Sequence, residues 1–311
     1  MLDRSRLQLI PRPTADIALR RRAGGWSFVL ALRQILRPMR IALAAAGVCA
    51  AMPAFAQGKL DAHYVVTLAG IPIGKGSWTI EVAETHYSAS ATGATTGLMR
   101  VLTEGEGSTT AQGTLGGGKV LSATYVSTIK SRKQKDEVHV TLDKGDVKDT
   151  RSDPPPDHER ERVTVSETDL HNVFDPMTAS LLATPGNGNP LSAEACQRTM
   201  PIFDGRLRYD LKLAFKRMET VKAEKGYSGP VVVCAVYFTP VSGYIPSRAT
   251  IRYLSKQRDM EIWLAPIAGT RMLVPFRAQG PTPIGEAVME ATEFVSVVTS
   301  THASANGRKD P

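Results

Sequence analysis

The strictest pattern in the chain lies at residues 206–216, where Leu207, Tyr209, Leu211, Leu213 and Phe215 alternate with Arg206, Arg208, Asp210, Lys212, Ala214 and Lys216. A period of two held this long puts the apolar side chains on one face of a β-strand, whereas a helix would scatter them around its circumference. Burying those five side chains would contribute on the order of 2 kcal/mol each, as an upper estimate. Asp204-Gly205 ahead of the strand is a turn signal, and the glycines and proline of Lys225-Gly226-Tyr227-Ser228-Gly229-Pro230 end the connection to the next strand. That next strand, 231–239, is apolar on both faces and is therefore expected in the middle of its sheet.

The same reading along the rest of the chain predicts strands at 64–68, 77–82, 87–92, 106–114, 121–130, 136–142 and 146–151, with glycine turns between several of them. Alternation resumes at 248–254, 260–264, 271–277 and 286–298. Between the two groups, Asp153-Pro154-Pro155-Pro156 excludes ladder pairing and begins a charged connector with a short strand around Val163 and Val165. One segment there reads as a helix: Asp175 caps, Pro176 suits the first helical position, and Gly186 stops it. A second, shorter helical turn is expected at 97–102. Many strands with short turns favour one antiparallel sheet curled into an open or half-closed barrel of about 11 to 13 strands, mainly β with one short helix. The expected organisation is a single β domain at 57–298, with its proline-rich connector and helix at about 153–186, and a small, polar, disordered tail at 299–311.

Residues 1–56 read as an export leader. Arg33, Arg37 and Arg40 precede an apolar run too short to span a bilayer, and Ala54-Phe55-Ala56 supplies a small-x-small cleavage pattern before Gln57. Translation from Met39 would give this leader a more usual length. The leader changes the charge argument. It carries nine of the 38 basic residues and two of the 30 acidic ones, so the remainder is close to neutral and loses the signature of a nucleic-acid binder. It also carries one of the three cysteines, leaving Cys196 and Cys234 as the expected disulfide of an exported, periplasmic protein that is not integral to the membrane after cleavage.

Candidate chemistry adds little. Gly113-Thr114-Leu115-Gly116-Gly117-Gly118-Lys119 resembles a phosphate-binding loop, but Val120 stands where Ser or Thr would hold magnesium, and the flanks read strand–turn–strand. The six histidines do not cluster with metal-ligand spacing, no Gly-x-Ser-x-Gly elbow is present, and neither a cofactor nor a catalytic constellation is expected. The alternating charges of Arg206, Arg208 and Asp210 read as a solvated, salt-bridged face, with an anion site built on the two arginines as the alternative.

Several segments resemble the proteobacterial family catalogued as domain of unknown function 3108: Leu68-Ala69-Gly70-Ile71-Pro72-Ile73-Gly74, Asp175-Pro176-Met177-Thr178-Ala179, Phe203-Asp204-Gly205-Arg206-Leu207-Arg208-Tyr209-Asp210-Leu211, Cys234 with Tyr237, Pro240-Val241-Ser242-Gly243-Tyr244, and Pro275-Phe276-Arg277. The resemblance covers about residues 60–298 and implies an exported, mainly β protein with a barrel-like or spiral sheet, without an established activity. A curled sheet of this strand number has inner surface to spare, so the expectation is a non-enzymatic envelope protein binding an apolar or amphipathic ligand, such as a lipid, an acyl chain or a lipoprotein segment. Leu207, Tyr209, Leu211, Leu213 and Phe215 are the expected lining. The alternatives are an interaction protein that binds another envelope protein and a hydrolase with converging carboxylates. Export is directly testable: N-terminal sequencing should find Gln57 first in the mature protein, and an uncleaved Met1 or Met39 terminus on a cytoplasmic species would contradict it.

Overall fold

The computed structural model describes residues 57–299 apart from 98, 99, 101–103, 158, 185 and 187, so the expected leader, the tail after 299 and most of the helical turn at 97–102 lie outside the described residues. Seven strands form the first half: β1 (Gln57–Leu68), β2 (Ile71–Val82), β3 (His86–Thr95), β4 (Glu106–Gly116), β5 (Lys119–Lys130), β6 (Lys135–Asp143) and β7 (Asp146–Asp153). A connector follows, holding the short helix α1 (Pro176–Ala179), the two-residue β8 (Leu182–Ala183) and a 3-10 turn at Ala193–Cys196. The second half is β9 (Arg198–Phe203), β10 (Arg208–Lys222), β11 (Lys225–Gly226), β12 (Ser228–Ser242), α2 (Ala249–Lys256), β13 (Glu261–Pro266), β14 (Met272–Thr282) and β15 (Gly285–Thr299).

These strands make one sheet in the order β7-β6-β5-β4-β3-β2-β1-β15-β14-β13-β12-β10-β9, with β8 and β11 as short additions on β14 and β15. The first and last strands pair antiparallel along their whole length, from Gln57 opposite Thr299 to Leu68 opposite Ala287, and so join the two halves. The sheet is curled but not closed by strand pairing. Its two ends approach through other contacts: Arg206 Nη1 bonds Asp136 at 3.1 Å, and Phe174 makes an isolated parallel bridge to Ile202. Gly205 sits so near β6 that a Cβ there would lie 2.2 Å from Val138 Cγ1. The expected strand around Val163 is reduced to two backbone bonds, Val163 N–H to Tyr244 at 2.9 Å and Gly243 N–H to Val163 at 2.8 Å.

Two apolar layers result. The inner one gathers Leu60, Ile80, Tyr87, Val140, Phe276 and Phe294, all essentially inaccessible to solvent. The outer one lies on the other face of β12–β14, where Val232, Cys234, Leu264 and Leu273 are covered by Leu213, Ile202 and the 3-10 turn. Val231 and Val233 belong to the inner layer and Val232 and Cys234 to the outer, which is why this strand is apolar at every position. Residues 248–254 form a helix rather than the expected strand. Ile251 and Leu254 are three apart, with Tyr253 beside them, so this short run satisfies a helical face as well as an alternating one, and α2 packs on β12. Among the described residues no helix is long and apolar enough to cross a membrane.

Cys196 and Cys234 are bonded, tying the 3-10 turn ahead of β9 to the centre of β12. In the chain-entropy picture a loop of this length stabilises the fold by about 4 kcal/mol. Thiol labelling of denatured, unreduced mature protein should find no free cysteine, and reduction should lower unfolding stability by about 2 to 4 kcal/mol. Two labelled thiols, or an unchanged denaturation midpoint after reduction, would contradict this.

Candidate functional site

The row expected to line a cavity is divided by the structure. Tyr209 and Leu211 are half-buried against the outer layer and Leu213 is fully inside it, with the Tyr209 ring 5.4 Å from that of Phe238. Leu207 instead borders an open cleft of about 400 Å³ beside Pro154, Pro155, Pro156 and Tyr244, and Phe215 is 41% exposed. The pattern breaks because β10 carries a bulge between Phe215 and Arg217, so that Phe215 stands opposite Cys234 of the outer layer and Arg217 opposite Val233 of the inner one. Arg206 and Arg208 are engaged within the protein. Arg206 donates to Asp136 and to the Pro154 carbonyl, at 3.1 and 2.8 Å, and Arg208 to Asp210 and the Tyr209 carbonyl, both at 2.7 Å.

Beyond the bulge lies a charged cluster that alternation did not reveal. The Trp263 ring is flanked by the guanidinium groups of Arg217 at 5.5 Å and Arg277 at 4.9 Å, and its Nε1 donates to Glu219 at 2.7 Å. Glu261 accepts from Arg217 Nη2 at 3.0 Å and also pairs with Lys216. The hydrogen bonds from Arg217 and Trp263 hold the Glu261 and Glu219 carboxyls below the usual carboxylate range. Such carboxylates are fixed as anions and do not exchange protons near neutrality. Burial pushes two carboxyls up, Asp175 and Asp204. Each caps local backbone: Asp175 accepts from Thr178 N–H at 2.8 Å, and Asp204 from Arg206 and Leu207 N–H at 2.9 and 2.7 Å. Among the described residues no group of three or more His, Cys, Asp or Glu is placed to hold a metal ion.

Two further concavities differ in character. The larger, about 900 Å³, is an open groove over β1–β5 whose walls carry the hydroxyls of Ser77, Thr92, Ser108 and Thr128. Most of its charges are paired: Lys130 is 3.6 Å from Glu106, Glu293 is 3.1 Å from Lys225, and Lys135 pairs with Glu137. The smaller, about 370 Å³, lies beside α1, and Val120, Leu121, Phe174, Leu181, Leu182 and Met200 give it apolar walls. It exists because the connector, rather than another strand, fills the gap between the sheet's ends. Thr178 and Ser122 form its polar end. Thr178 donates its hydroxyl to Asp175 and is bonded by the Tyr87 hydroxyl at 2.5 Å, while Ser122 accepts from Asp175 N–H at 3.2 Å.

Three cations border this smaller cavity, and its lining contains no acidic residue. Lys119 follows the β4–β5 turn, where Gly117 and Gly118 adopt φ of 58° and 75°. That is the backbone of a tight hairpin, as the strand–turn–strand reading of the glycine run expects, and not of a phosphate loop. Lys144 sits in the β6–β7 turn with φ of 53°, and Arg198 opens β9. Arg198 Nη1 donates to the Ala183 carbonyl at 3.1 Å, its Nε is buried without a partner, and desolvation pushes its pKa down. Arg206, Arg208 and Arg277 also bury an unpartnered Nε, yet each pairs with a carboxylate, whereas Arg198 pairs with none among the described residues. The three cations come from two hairpin turns and a strand start far apart in the chain. The only sequence signal near any of them was Lys119 at the end of the glycine run.

No protein of curated function matches the sequence. A solved structure similar to this one is the crystal structure of a beta-barrel-like protein of domain of unknown function DUF1849 from Brucella abortus. It has a TM-score of 0.42 and 8% identity, over 79% of this chain and 99% of that one. A family model described as protein of unknown function, DUF3108, matches residues 63–292, and the chain belongs to that family.

Proposed function

We propose that this is an exported, periplasmic protein that supports the cell envelope by binding a small amphipathic ligand without transforming it. The observation that carries this reading is the apolar-walled cavity beside α1. The inner layer of the curled sheet is filled by its own side chains, with Tyr87, Phe276 and Phe294 at 1% exposure or less. In the cavity, apolar walls face about 370 Å³ of open volume. That falls within the roughly 300 to 1,000 Å³ of small-molecule sites. The ligand is thereby assigned to this cavity rather than to the dry face of β10. The two carboxyls raised by burial serve as backbone caps, which supports a binding role over acid–base chemistry. The Cys196–Cys234 bond suits an oxidising compartment.

A second reading rests on one observation of its own. Ile71 and Ile284 are 61% and 73% exposed at neighbouring hairpin tips, where Ala69 N–H bonds the Glu286 carbonyl at 2.8 Å. Such tips would suit contact with another envelope protein.

Native mass spectrometry of the mature protein purified from its own periplasm should show a bound small molecule that denaturation releases. Ala183 borders the cavity, so Ala183→Phe, or the milder Ala183→Leu where the larger residue disturbs folding, should abolish or reduce that occupancy. A bare protein mass, together with no uptake of a fluorescent acyl-chain probe, would overturn the proposal.

A further inference from the structure

We infer that the ligand of this cavity is a single-chain amphiphile with an anionic head group, and that Arg198 is the residue that reads the head. The inference rests on the cavity being a binding site and adds the class of molecule it takes. Three observations carry it. The bordering charges are Lys119, Lys144 and Arg198, with no carboxylate among the lining residues to compensate them. Lys119 and Lys144 are exposed and make no salt bridge among the described residues, so they attract an anion from solution, whereas Arg198 is only partly accessible and lies where a head group would lose its water. The volume, about 370 Å³, is near the small end of ligand sites. It admits one short apolar chain and excludes a two-chain lipid.

Arg198 is the more informative of the three. A half-buried cation without a counter-charge is a cost to the fold, because its desolvation is not offset by an ion pair. Among the described residues its one hydrogen-bond partner is the Ala183 carbonyl, and Nε is closed off without an acceptor. A carboxylate or phosphate entering the cavity would pair with the Nη end of the guanidinium and supply the missing counter-charge. The apolar chain would then lie against Leu181, Leu182 and Met200, removing their exposed surface from water. Carboxylates and phosphates satisfy the same geometry, so the two head groups are separated by measurement.

The test is calorimetric titration of the disulfide-bonded mature protein with decanoate, decyl phosphate, decanol and decyltrimethylammonium. Either anion should bind about tenfold or more tightly than decanol, with the cationic probe weakest. The ratio of decanoate to decyl phosphate assigns the head group. Arg198→Gln should erase the preference for the anions while leaving the decanol affinity unchanged. The double variant Lys119→Gln/Lys144→Gln, altered only on exposed turns, should reduce anion affinity about two- to threefold at low salt and hardly at all at high salt. Because Arg198 is a half-buried cation with no carboxylate partner among the described residues, Arg198→Met should keep or raise the melting temperature, where a structural arginine would lower it. Equal binding of decanol and the anions would overturn the inference and leave the cavity as a site for neutral amphiphiles, and an anion preference that survives Arg198→Gln would overturn the assignment of the head group to Arg198. Binding of none of the four probes would overturn the cavity reading as well.

Discussion

The pairing of β1 with β15 is the interaction on which the rest of this structure depends. The two strands lie at opposite ends of the described chain and run antiparallel in a ladder from Gln57 opposite Thr299 to Leu68 opposite Ala287. Each half of the sheet is otherwise built mostly from neighbours in sequence: β1 to β7 form a meander, and β12 to β15 follow one another without a crossover. Neither half can bury its inner face alone. Only when β1 meets β15 do Leu60 and Ala62 reach Ala291 and Phe294, and the inner layer becomes continuous. Such a contact closes a very long loop before it is rewarded, so folding of the barrel-like body is expected to be limited by this long-range step.

A second constraint follows from the first. A sheet of thirteen strands in sequence along its path curls until its two ends approach, and open edges invite pairing with other chains. This protein does not pair the ends. It inserts the connector, pinned by Asp175 at the start of α1, by the Phe174–Ile202 bridge and by the hydrogen bonds of Val163 with Gly243 and Tyr244. A connector packs less regularly than a strand. The apolar space beside α1 is the consequence, and the position of β9 along that space is set in turn by the Cys196–Cys234 bond two residues before Arg198.

Much of the body was legible in the sequence for a simple reason: alternation reports burial on one face, and most strands here have one dry and one wet face. Tyr209, Leu211 and Leu213 follow the rule, and Val231–Ala235 announce a strand buried on both faces. The rule fails where geometry inserts a residue. The bulge after Phe215 carries Arg217 and Glu219 to the Trp263 cluster although their parity in the chain is unchanged. It fails also for α2, whose Ile251, Tyr253 and Leu254 fit either period over so short a run. The cavity was not legible at all. Lys119, Lys144 and Arg198 are ordinary surface-type residues in three separate segments, and only the curl of the sheet makes them neighbours.

The most direct measurement is a crystal structure of the mature protein soaked with 10-bromodecanoate, with the bromine located by its anomalous signal. The bromine should lie among Val120, Leu181 and Leu182, with the carboxylate accepting hydrogen bonds from Arg198. A cavity filled by collapsed side chains, or bromine located only in the open groove over β1–β5, would contradict the claim that the gap beside α1 is a built ligand site.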